Sequence, residues 1–157
     1  MILSPLQNNA NGKPFITQGF GLNPALYAKW GFKGHEGLDL RAPIGTEVFA
    51  PIEGTVEVVD SGISAYGLHV NIVNDRFKVI LAHLSSVSVT NGTFATLGAP
   101  IGLSGDSGSA KGQPHLHLTV MRMVNGQILS KDNGYGGGVD VSPYIITWQG
   151  TLTEQTL

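Results

Sequence analysis

Glycine restricts this chain more than any other residue: it fills 22 of 157 positions, roughly twice the usual share. Glycine weakens helices and favours turns, so few stretches are left in which a long helix could form. Charged residues make up only 13% of the chain, which gives little material for the solvated face of an amphipathic helix. Strand and turn are what remain. An apolar fraction of 41% supplies a core and argues against disorder. The length suits a single domain over residues 1–157.

Charge and cysteine usage remove several functions. Nine Lys+Arg against eleven Asp+Glu give a net charge of −2, and no basic stripe is present to follow a phosphate backbone, so nucleic acid is not expected as a partner. Cys is absent, which excludes disulfides, thiolate metal ligands and a cysteine nucleophile. The stretch between Lys78 and Asp106 carries no charge, but its Ser, Thr, Gly, Pro and His83 alternate with apolar residues as in strands, so membrane insertion is not expected. The first residues show neither a basic segment nor an apolar run of signal-peptide length.

Residues 1–23 read as irregular. Asn23-Pro24 offers a helix N-cap with Pro at the first helical position, predicting one short helix over Pro24 to Trp30. Strands are predicted over Thr46–Ala50, Thr55–Asp60, Leu68–Val73, Phe77–His83, Pro100–Leu103 and His115–Val124, with hairpin turns at Asn74-Asp75 and Asn125-Gly126. Lys131 to Gly138 reads as a flexible loop. The fold class is mainly β: an antiparallel sheet core whose loops form a groove, with little helix.

The five histidines carry the chemical signal. His115 and His117 flank Leu116, so in a strand both rings share one face while Leu116 and Leu118 turn to the other. Two imidazoles beside an apolar core suit a metal cleft, and equally an exposed strand. His35 and Asp39 lie in Gly34-His-Glu-Gly-Leu-Asp-Leu. An extended strand would separate them by ~13 Å, too far to share an ion with bonds of ~2 Å, so sharing one requires a bend, for which Gly34 and Gly37 are placed. Glu36 follows His35 as in the helical His-Glu-x-x-His motif, but position 39 is Asp and Gly37 opposes a helix, so Glu36 is not read as a general base. His83 ends a strand. His69 alternates with Val70 and Ile72 and reads as a structural or surface residue.

Taken together, these contexts resemble one family. His35 to Asp39 in Gly-His-x-Gly-Leu-Asp-Leu, Leu81-Ala-His83-Leu-Ser, and Gly102-Leu-Ser-Gly-Asp-Ser-Gly followed by Pro114-His-Leu-His look like the lysostaphin/LytM-type zinc endopeptidases. Ala42-Pro-Ile-Gly-Thr-Glu-Val-Phe-Ala, Gly54-Thr-Val and Tyr66-Gly match in order, so the likeness runs from about residue 19 to 124, between an irregular segment (1–18) and a C-terminal hairpin and loop (125–157). The resemblance implies one Zn²⁺ per chain held by His35, Asp39 and His117, an open fourth position for an activated water, and His83 with His115 as the catalytic pair beside it. It implies a metalloendopeptidase that cuts peptide cross-links of bacterial peptidoglycan, acting at the cell wall, extracellular or periplasmic, as a monomer. Lacking an evident leader, the chain would be a phage lysin, a virion component or a piece of a longer protein. The loops set the choice between Gly-Gly bridges and D-Ala–diamino acid cross-links.

Two alternatives were weighed. A D-Ala-D-Ala carboxypeptidase-like enzyme would need a Glu just ahead of the final His, where this chain has Gln113-Pro114. A metal-free relative serving as a peptidoglycan-binding or regulatory module would have lost a ligand, yet each expected His and Asp is present.

Overall fold

A computed structural model of the protein describes residues 2–7 and 14–148. Among them, thirteen strands follow in chain order: β1 (Ile2–Leu3), β2 (Ile16–Gln18), β3 (Leu38–Leu40), β4 (Glu47–Phe49), β5 (Gly54–Asp60), β6 (Leu68–Val73), β7 (Phe77–Ala82), β8 (Leu84–Val87), β9 (Phe94–Ala95), β10 (Pro100–Ser104), β11 (Leu116–Val124), β12 (Gln127–Ile128) and β13 (Ile145–Ile146). Eight form one sheet in the order β2-β3-β11-β7-β6-β5-β9, with β12 paired to β11. A second sheet, β4-β10-β8, is also antiparallel. The exception to antiparallel pairing is β1 against β13, a short parallel pair.

The long strands form because their residues alternate. Val70 and Ile72 on β6, Val79 and Leu81 on β7, and Leu116, Leu118 and Val120 on β11 are all fully buried, and they join one apolar cluster. Val48, Leu84 and Ile101 from the smaller sheet enter the same cluster. The core therefore lies between one face of the large sheet and the small one. Burying a Val, Leu or Ile side chain contributes ~1.5–3 kcal/mol.

Both hairpin turns occur. Asn74 Oδ1 accepts from the backbone N–H of Arg76 and Phe77, each at 2.9 Å. Asn125 and Gly126 take φ of 51° and 76° between β11 and β12, the left-handed pair of a type I′ turn.

The structure also corrects the sequence reading. The segment read as irregular contributes β1 and β2, although its Asn-rich stretch, residues 8–13, lies outside the described residues, as do 149–157. Strands of two or three residues pair with distant partners and leave little local pattern. The short helix spans Pro24–Tyr27 and continues as a tighter 3₁₀ turn over Ala28–Trp30. Asn23 holds the N-cap position and its carbonyl accepts from Leu26 N at 3.0 Å, but it is left-handed and its side chain makes no cap bond; its amide donates to Gln18 Oε1 at 3.1 Å instead. The strand over Phe77–His83 stops at Ala82, because His83 takes φ of 64°. The run Lys131–Gly138 is pinned rather than flexible: Asn133 Oδ1 accepts from Tyr135 N and Gly137 N, and its amide donates to the Gly138 carbonyl.

Candidate metal centre

His117 and Asp39 face each other as cross-strand neighbours on β11 and β3. His35 reaches them from the turn before β3. Its Nε2 lies 3.1 Å from Asp39 Oδ1 and 3.0 Å from His117 Nδ1, while His117 Nδ1 lies 2.9 Å from Asp39 Oδ1. Three donor atoms thus form a triangle with sides of about 3 Å. A tetrahedral ion with bonds of ~2.0–2.1 Å would separate its ligand atoms by about 3.3 Å, so the triangle fits such an ion closely.

The bend that brings His35 to Asp39 uses glycine for space. Neither Gly34 nor Gly37 has a left-handed φ. A Cβ on Gly37 would sit 2.5 Å from the Leu118 carbonyl and 3.0 Å from His117 Cε1. The turn can lie directly on β11 only because no side chain intervenes.

Hydrogen bonds aim the remaining ring atoms. His35 Nδ1 donates to the Gly19 carbonyl at 3.1 Å, leaving the Nε2 lone pair turned to the triangle. His83 Nδ1 donates to the Ser107 carbonyl at 2.8 Å, and His115 Nδ1 to the Gln113 carbonyl at 2.7 Å. The His83 and His115 rings meet edge to face with centroids 4.8 Å apart, and His115 Nε2 is 3.5 Å from Asp39 Oδ1. The left-handed backbone of His83, uncommon outside Gly although His adopts it more readily than most residues, ends the strand and sets the ring beside His115 and His117.

Electrostatics follow burial. Burial would raise the Asp39 carboxyl, but hydrogen bonds from His117 and His35 outweigh it and hold Asp39 well below the usual carboxylate range. Burial would lower His35, yet the Asp39 carboxylate lifts it above the ordinary histidine value. His83 is pushed down to about 4, first by burial and then by the neighbouring His117 and His115.

The structure therefore brings all five predicted residues into one place. Asp39, His83, His115 and His117 line a cleft of about 500 Å³, and His35 lies buried behind it. His117 is buried and His115 half-buried, unlike an exposed strand pair. His69 stands apart, its Nδ1 bonded to the Gly67 carbonyl and its pKa lowered by burial. Tyr27, Trp30, Ala65, Tyr66, Ser109 and Ala110 also line the cleft.

Sequence reasoning missed three neighbours. Thr119 Oγ1 lies 2.7 Å from His117 Nε2, Tyr66 donates to Glu36 Oε1 at 2.8 Å, and Glu36 is buried. Thr119 was within reach of the alternation argument, since it stands two residues beyond His117 on the same strand face. His35, Glu36 and His117 also offer donor atoms within 4.8 Å of one another. Glu36 nevertheless approaches His117 at Nε2 (3.5 Å), the ring atom opposite the triangle, so Asp39 completes the tighter set.

The model of peptidase family M23 matches residues 33–136, a span containing all five residues. The chain belongs to this family of metallopeptidases. It is 33% identical over 127 residues to an uncharacterized metalloprotease of Haemophilus influenzae, covering 80% of this chain and 25% of that protein. It is 35% identical over 87 residues to the peptidoglycan DD-endopeptidase ShyA of Vibrio cholerae, covering 55% of this chain and 20% of that one. The chain thus spans a quarter or less of the length of these curated relatives. The catalytic domain of lysostaphin from Staphylococcus simulans superposes with a TM-score of 0.63 at 26% identity, over 83% of this chain and 91% of that domain.

Proposed function

We propose that the chain is a zinc endopeptidase that hydrolyses peptide cross-links of bacterial peptidoglycan, acting at the cell wall. The observation that carries this reading is the triangle of His35 Nε2, Asp39 Oδ1 and His117 Nδ1, with sides of 2.9–3.1 Å. The His35 ring spends its proton on Gly19, and Asp39 is held as an anion. Without an ion, only imidazole protons shared with Asp39 can hold three such atoms together, and a cation would take their place. His35, Asp39 and His117 would hold the zinc; two imidazoles and one carboxylate make the open donor set of a catalytic site rather than a closed structural one. When bound, zinc supplies a Lewis acid that polarises a carbonyl and acidifies water.

The chain's own groups supply the rest. His83 and His115 spend Nδ1–H on backbone carbonyls, which leaves Nε2 of each as the atom able to take up or return a proton. Positioned imidazoles of this kind contribute ~10²–10⁴-fold through acid–base transfer. In their charged form they also stabilise the negative charge that develops on a carbonyl oxygen under attack. The cleft beside these atoms, about 500 Å³, has room for part of a peptide. Support for peptidoglycan as substrate comes from the family and from the DD-endopeptidase relative.

The test combines metal content with product chemistry. The purified protein should carry about one zinc per chain and release new amino groups, without new reducing ends, from peptidoglycan. His117→Ala should abolish both metal and activity. Stoichiometric zinc in that variant, or reducing ends in place of amino groups, would overturn the reading.

A further inference from the structure

Three of the four cleft histidines are aimed by backbone carbonyls: His35 by Gly19, His83 by Ser107 and His115 by Gln113. His117 is not. Its Nε2 faces only side chains, Thr119 Oγ1 at 2.7 Å and Glu36 Oε1 at 3.5 Å. Tyr66 donates to Glu36 Oε1 at 2.8 Å, which ties that carboxylate down beside the ring. Glu36 is 5% exposed, and its second oxygen, Oε2, has no hydrogen-bond partner among the described residues. Leaving a buried carboxylate oxygen unpaired costs stability, so packing alone gives no reason for an acid at this position.

We infer that Glu36, Tyr66 and Thr119 are positioning residues that fix which nitrogen of His117 carries its proton, and so prepare Nδ1 as a metal ligand. This rests on the zinc assignment for its purpose, but the geometry of the relay stands without it. A carboxylate can only accept hydrogen bonds. Tyr66 must therefore direct its single proton to Glu36, which holds an acceptor-only oxygen 3.5 Å from His117 Nε2. Thr119 Oγ1, 2.7 Å from the same nitrogen, can accept from it as well. With these two oxygens on that side of the ring, the imidazole proton is drawn to Nε2. Nδ1 then turns a lone pair toward His35 and Asp39. Without the relay, the competing arrangement places the proton on Nδ1, where Asp39 Oδ1 waits at 2.9 Å, and that proton would have to leave before an ion could bind. Outer groups of this kind typically contribute 10–100-fold to metal affinity.

Two readouts separate this inference from the zinc assignment. The first is the ¹⁵N imidazole spectrum of the zinc-free protein, with His117 assigned through His117→Gln. In the wild type it should show Nε2 protonated and Nδ1 bare. Tyr66→Phe and Glu36→Gln should shift population to the Nδ1–H form, whereas Thr119→Ser, which keeps the hydroxyl, should match the wild type. The second is zinc affinity by chelator competition, which should fall about 10–100-fold in Tyr66→Phe and Glu36→Gln and recover in Thr119→Ser. A wild-type ring protonated on Nδ1, or unchanged tautomer and affinity in both Phe and Gln variants, would overturn the inference. The expected tautomers in a wild-type protein that takes up no zinc would uphold the relay and overturn the metal reading instead.

Discussion

On β11, Leu116, Leu118 and Val120 enter the apolar core, while His117 and Thr119, each one residue away, point to the cleft side. The same division runs across the sheet. Leu38 and Leu40 flank Asp39 on β3, Val79 and Leu81 flank Ile80 on β7, and Val70 and Ile72 flank Asn71 on β6. One face is uniformly apolar. The other carries buried polar groups (His117, Thr119, His69 and Asn71) beside a small apolar cluster of Ile80, Ala82 and Met121. Burial alone does not distinguish them, since both faces are covered. They differ in what each residue contributes: the apolar face supplies stability, and the polar face gives up some of it for chemistry.

That contrast can be broken from the polar side first. His83→Ala and His115→Ala should each lower hydrolysis by about 10²–10⁴-fold, with zinc content unchanged because the triangle is intact; steady-state rates on cross-linked substrate with parallel metal analysis will show this. A wild-type rate in His83→Ala would return His83 to a strand-end role. From the apolar side, Leu118→Ala should cost about 2–5 kcal/mol in denaturant unfolding, while the remaining folded protein keeps its zinc and its rate per molecule. A loss of zinc at unchanged stability would mean that the two faces are not separable.

A smaller effect should appear on acidification of the zinc-free protein. His83 and His69 are held neutral by burial, their folded pKa values below the ordinary ~6.5. Above pH ~6.5 neither affects stability. As pH falls below that value the unfolded chain takes up protons that the folded chain refuses, so stability declines, for His83 until about pH 4. The raised pKa of His35 acts in the opposite sense. The clean measurement is therefore the difference between wild type and His83→Gln, whose stability should fall less steeply over pH 6.5 to 4. The smallest effect belongs to His69→Ala, which lies on the polar face but outside the triangle. It should leave metal content and rate as they are, and a large drop in either would enlarge the site.

Much of this organisation was legible in the sequence. Strict alternation on β6, β7 and β11 dictates which side chains share a face, and a His-x-His on such a strand must present both rings together. Distance arithmetic demanded the bend between His35 and Asp39. What could not be read depends on contacts distant in sequence. β3 acquires its identity from β11, whose His117 pairs with Asp39 across 78 residues, and β1 from β13, more distant still. Glu36 looked like a discarded motif letter because its partner, Tyr66, arrives from thirty residues downstream. The turn at His83 was hidden because its left-handed backbone falls on a non-glycine residue inside an apolar run, where no turn residue marks it.

The loops that bring Ala65, Tyr66 and Ser109 to the cleft contain a constraint of another kind. Gly67 and Gly108 cross so closely that a Cβ on either would lie 2.3 Å from the other's backbone nitrogen, and both are left-handed. Ser109 N and Oγ both bond the Ala65 carbonyl across the same crossing, and Ser107 Oγ accepts from Leu68 N. For anyone redesigning the cleft toward a new peptide, this crossing works as a rivet. Libraries that vary Gly67 or Gly108 would be filled with misfolded members, since no rotamer change relieves a clash with backbone. Diversity placed at Gln113, which lines the cleft outside this crossing, would alter what the cleft presents while leaving the carbonyl that aims His83 where it is.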